Sequence, residues 1–135
     1  MNRILLNLLI SFWKIILLFP RFVHKKLGFS LGYLFYKSNM KRNRFSKANI
    51  DLCFSNLSPV ERTNIFKSNI LMSGSILFDT GIAWFWSDKK INNNINYEIS
   101  GLDQLIEEQN NKNGVLLFFK HSLHLELDAR LLGMN

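Results

Sequence analysis

The chain has 135 residues, 47% of them hydrophobic, with 17 Lys+Arg against 10 Asp+Glu and a formal net charge of +7. That length allows one domain at most, and twelve Phe with three Trp make the chain too apolar to be disordered. A single cysteine, Cys53, excludes an internal disulfide, and no Cys/His spacing builds a zinc site.

The charge is divided unevenly. Residues 1–50 hold ten bases and no acid and carry +10, whereas residues 51–135 carry −3. A basic N-terminal half points to a membrane or nucleic-acid surface. The choice falls on the membrane, because Ile4 to Phe19 reads ILLNLLISFWKIILLF and is closed by Pro20. Sixteen helical residues reach about 24 Å against a hydrocarbon core of about 30 Å, which is marginal for a crossing. Asn7, Ser11 and Lys14 share one helical face and leave the rest apolar, a pattern that suits a helix in the interface as well as one that spans. Residues 1–26 are therefore expected to form a membrane anchor helix with its basic flank. Arg21, Lys25 and Lys26 follow the run where a cleaved signal peptide would carry small residues, and they orient the body of the protein to the cytoplasm. A nucleic-acid role for KRNRFSK at 41–47 is set aside, since it has one aromatic and stands beside a hydrophobic anchor.

Residues 27–36 (LGFSLGYLFY) read as a second helix, either at the membrane surface or in the core. Ser58-Pro59-Val60-Glu61 is a capping box opening a helix that runs through Asn69. Residues 70–86 are expected to form a buried helix despite Asp79, with Ser73, Gly74, Ser75 and Gly81 allowing close packing. KKINNNIN at 89–96 reads as a polar loop, NYEIS at 96–100 as a short strand and LDQLIEEQ at 102–109 as a helix. VLLFF at 115–119 has the pattern of a strand buried on both faces, and SLHLELDARLL that of a helix. This order predicts an α/β fold with a parallel crossover. Cys53 is expected to be a small buried hydrophobe.

Chemistry is expected where the second strand ends. Lys120-His121-Ser122-Leu123-His124-Leu125-Glu126 places two imidazoles and a carboxylate together. With His121 in the turn and Glu126 in the first turns of the helix, the carboxylate can orient an imidazole that takes a proton from a hydroxyl. His124 reads as a packing or solvent residue, and Asp128 as an alternative acid for it.

HSLHLE at 121–126, after GVLLFF and before LDARLLG, resembles the late acyltransferases of lipid A biosynthesis. These are the lauroyl and myristoyl transferases within the lysophospholipid acyltransferase superfamily. Asn49-Ile-Asp-Leu-Cys53-Phe54 with Leu57-Ser58 and Glu61-Arg62 resembles another of that family's segments, as does ISGLDQLIEE before the motif. The resemblance implies that residues 27–135 are the N-terminal, incomplete part of an α/β acyltransferase domain, a mixed sheet flanked by helices. It implies His121 as general base and Glu126 as its orienting acid; beside it, Arg130 reads as a candidate substrate-binding residue that holds a phosphate, as a brace for Glu126 or as a surface Arg. The implied acyl donor is an acyl–acyl carrier protein and the acceptor a hydroxyl of an acylated lipid A precursor, with no metal, cofactor or nucleic acid. The implied location is the cytoplasmic face of a bacterial inner membrane. Family members are about twice this length, so the chain alone is expected to be weakly active or inactive. The alternative is a small, basic, non-catalytic membrane-anchored protein.

Overall fold

The computed structural model describes residues 2–38 and 40–135, so Met1, the first residue of the expected anchor, lies outside it. Among the described residues eight helices follow one another: α1 (Arg3–Ile16), α2 (Arg21–Lys37), α3 (Lys41–Cys53), α4 (Pro59–Ser73), α5 (Ile76–Phe85), α6 (Asp88–Asn94), α7 (Leu102–Asn110) and α8 (Leu125–Gly133).

No strand forms among the described residues, which overturns the α/β expectation. A strand is stabilised by a ladder partner, and neither 96–100 nor 115–119 has one here. The first of these segments still contributes to the core through Tyr97. The second lies open, with Leu116 77% and Phe118 89% exposed. An apolar run of this kind reads as a buried strand only when sheet neighbours cover both faces.

The membrane-spanning reading is also corrected: no helix among the described residues is long and apolar enough to cross a membrane. The apolar N-terminal run is divided between the fourteen residues of α1 and a turn before Pro20. Fourteen residues rise about 21 Å, well short of the hydrocarbon thickness.

Three other expectations change in detail. The helix opened by Ser58 runs on to Ser73, and a new one starts at Ile76. The break is set by packing, because Gly74 lies directly on the α2 backbone, where a Cβ would collide with the Gly28 carbonyl oxygen. Residues 89–94, part of the loop expected over 89–96, fall in α6: the Ser87 hydroxyl accepts from the Lys90 amide at 3.4 Å, and Ile91 is fully buried. One apolar side chain inserted in the core outweighs the Asn-rich composition around it. Cys53 is exposed rather than buried.

Other elements form as their sequences require. The capping box is complete, with Ser58 N donating to Glu61 Oε2 at 2.8 Å and Glu61 N to Ser58 Oγ at 3.3 Å. Hydrogen bonding from the Ser58 side chain, and after it from the Ser58 amide, holds the Glu61 carboxyl below its ordinary range. α2 buries His24, Gly28 and Gly32, a stripe at spacing four that faces α4 and α5. The core is centred on α5: Ile82, Ala83 and Trp86 meet Leu17 beyond α1, Ile91 of α6, and Leu127 and Leu131 of α8. The Trp86 indole donates to the Leu17 carbonyl at 3.0 Å, pinning the end of the N-terminal run to that core.

Candidate functional site

The motif residues sit in the turn that leads into α8. His124 occupies the cap position, with Glu126 and Asp128 in the first helical turn, where negative charge favours the helix dipole. Leu127 and Leu131, four apart, fix the helix on α5 and so orient its other faces. Ser122 closes the turn locally: its hydroxyl accepts from His124 N at 3.3 Å and donates to Asp128 Oδ2 at 3.1 Å.

His121 is exposed in the unladdered segment before the turn. Glu126 is exposed on α8, and its Oε2 accepts a long hydrogen bond, 3.4 Å, from the Trp84 indole of α5. No hydrogen bond or ion pair joins His121 to Glu126, so the two stand on the same turn without touching through polar atoms. Such pairs often close only when substrate is bound. Arg130 is paired with Asp88 of α6.

The pair that does form is different. His124 Nδ1 donates to Asp79 Oδ2 at 2.8 Å, and Arg21 Nη1 donates to Asp79 Oδ1 at 2.5 Å. The Asp79 side chain is only 3% exposed, so both carboxylate oxygens are compensated inside the fold. Asp79 thus joins three segments: α2 through Arg21, α5 through its own backbone and the motif turn through His124. The reading of His124 as a packing or solvent residue missed this contact, as did the pairing of His124 with Asp128. A carboxylate in the middle of ILMSGSILFDTGIAWFW was the available signal, since a buried charge calls for counter-charges. Its partners are 58 and 45 residues away in sequence, beyond the reach of local spacing.

Arg21, Lys25 and His124 line a cleft of about 290 Å³ together with Phe29, Met72 and Phe78. It adjoins the motif turn and combines basic with apolar side chains. Among the described residues no group of three or more His, Cys, Asp or Glu is placed to hold a metal ion.

Residues 1–135 match the family model described as bacterial lipid A biosynthesis acyltransferase. A lipid A biosynthesis acyltransferase of Haemophilus influenzae is 34% identical over 128 residues, covering 93% of this chain and 40% of the relative. A lipid A biosynthesis lauroyltransferase of Escherichia coli is 36% identical over 123 residues, covering 91% of this chain and 39% of the relative. A palmitoleoyltransferase of the same organism is 32% identical over 108 residues, 80% of this chain and 35% of the relative. The chain therefore spans about two fifths of the length of these relatives. No solved structure matches it significantly.

Proposed function

The chain belongs to the bacterial lipid A biosynthesis acyltransferase family, and from that membership we propose that it carries the general-base half of an O-acyl transfer to a lipid A precursor. The observation that carries the reading is HSLHLE, positioned at the start of α8 in a chain whose whole length matches the family. His121 takes the proton of an acceptor hydroxyl, and Glu126 orients the imidazole and balances the charge it gains. The hydroxyl oxygen attacks the thioester carbon of an acyl–acyl carrier protein. A C–O bond forms, the C–S bond breaks, and the departing thiolate recovers the proton from the His121 imidazolium. No covalent enzyme intermediate takes part in this scheme.

The remaining features support this reading through charge and hydrophobicity. A phosphorylated glycolipid, an anionic membrane and an acidic carrier protein are all negative, and residues 1–50 carry +10. The α1 face formed by Ile4, Leu8, Phe12 and Ile15 is exposed and apolar. It suits a helix lying in the interface of the inner membrane, with the motif turn on the cytoplasmic side.

The test is transfer from labelled acyl–acyl carrier protein to an acylated lipid A precursor in detergent, read by mass spectrometry as gain of one ester-linked acyl group. Transfer is expected to be slow, because the chain spans about two fifths of its relatives' length. It is also expected to require a free hydroxyl on the precursor. An acyl group acquired equally by a precursor with that hydroxyl blocked overturns the reading.

A further inference from the structure

We propose that Asp79 and His124 form a positioning pair that sets the geometry of the turn between His121 and Glu126. The inference rests on the reading of His121 and Glu126 as the site, and it assigns them a support that their own spacing does not provide. His124 stands between the two motif residues, three after His121 and two before Glu126. Its ring is the motif turn's polar tie to a buried charge: Nδ1 donates to Asp79 Oδ2 at 2.8 Å. Asp79 cannot swing away, because its other oxygen is held by Arg21 and its side chain is almost completely buried. α5 grips the same turn a second time, through the Trp84 indole on Glu126. The turn is therefore clamped from α5 at two points that flank Leu125, while the Ser122 hydroxyl bonds close it internally.

Rigidity here has a chemical purpose. His121 and Glu126 lie on the exposed side of the turn and make no polar contact with each other. Their relative placement is set by the backbone of residues 122–125, and that backbone is fixed by His124. A turn released from Asp79 samples orientations in which the imidazole and carboxylate face apart. Misplacement of catalytic groups by about 1 Å costs up to roughly 100-fold in rate. The imidazole of His124 acts here as a donor at Nδ1 and takes no part in the proton transfer.

That distinction makes the pair testable with two substitutions. In His124→Asn the side-chain amide nitrogen stands two bonds from Cβ, as Nδ1 does, so the donor to Asp79 is kept. In His124→Leu the bulk is kept and the donor is lost. Neither change removes the Arg21 partner of Asp79, and the His124 side chain is 42% exposed, so both variants are expected to fold. Amide hydrogen exchange in the full chain at residues 124 and 128, whose amides bond to the Ser122 hydroxyl and the His124 carbonyl, is expected to quicken about tenfold in His124→Leu and to stay at the wild-type rate in His124→Asn. In the transfer assay, kcat is expected to fall roughly 10- to 100-fold in His124→Leu with KM unchanged, and to be restored in His124→Asn. Asp79→Asn combined with His124→Leu is expected to be no worse than Asp79→Asn alone, because one interaction is lost in both.

Wild-type exchange in His124→Leu overturns the proposal. Exchange in His124→Asn as fast as in His124→Leu overturns it too, since the imidazole rather than the Nδ1 donor would then be needed. If the wild-type chain shows no transfer, the proposed reaction fails while the exchange measurement still decides the positioning pair.

Discussion

His24 is sealed inside the fold, 1% exposed, between the rings of Phe78 and Trp86. Its Nε2 donates to the Ile16 carbonyl at 3.0 Å, while Nδ1 is buried without a partner. Burial pushes its pKa below the ordinary 6.5; the Ile16 carbonyl opposes this, Arg21 and Lys90 add to it, and Asp79 opposes it weakly. The native state therefore binds its proton less readily than the unfolded chain. The stability linked to His24 is fully present above pH 6.5 and is lost as pH falls from there through the depressed native value. The midpoint of thermal unfolding is expected to fall between pH 7.5 and pH 5.5. His24→Gln, which can still donate to Ile16, is expected to flatten that slope. Equal slopes in the two proteins contradict the assignment. Asp79 shows the opposite solution to burial, a charge kept inside the fold by two donors that arrive from different segments.

At the level of elements, α2 and α4 approach at Gly32, where an added Cβ would collide with the Leu71 carbonyl. Backbone atoms cannot move aside as a side-chain end can, so Gly32→Ala is expected to cost about 1–3 kcal/mol in chemical denaturation. An unchanged midpoint would show that the helices do not meet there. How much of this was legible follows from the range of each signal. The capping box at Ser58–Glu61 and α7 depend on residues within a few positions and form as read, while α8 starts at Leu125, three residues after the Ser122 with which the helical reading began. The apolar run at 115–119 could be a strand only through partners outside itself, and the sequence pattern cannot say whether they are present. The α4–α5 break and α6 were hidden for the same reason: each is decided by a distant contact, Gly74 on Gly28 and Ile91 in the α5 core. At the site, the motif was readable as a string. Its attachment to Asp79 was not, although the cost of burying that carboxylate announced that some partner was needed.

Over the whole molecule, the +10 of residues 1–50 coincides with the exposed apolar face of α1. Each base near an anionic surface adds about 1 kcal/mol of attraction, and the apolar face adds burial in the interface. The chain is expected to co-sediment with vesicles rich in anionic phospholipid and to be released when Leu8 and Phe12 are both replaced by Asp. These two side chains are 62% and 63% exposed, so the double variant removes membrane affinity without opening the core. Retained binding in that variant contradicts the interfacial placement of α1.

His121 is the proposed general base of the motif turn. This role is tested most directly by single-turnover transfer from labelled acyl–acyl carrier protein to the lipid A precursor, comparing the wild-type chain with His121→Ala. Ester formation is expected in the wild type, with a loss of about 100-fold or more in the variant, the range that a positioned general base contributes. Transfer at the same rate in His121→Ala would contradict it.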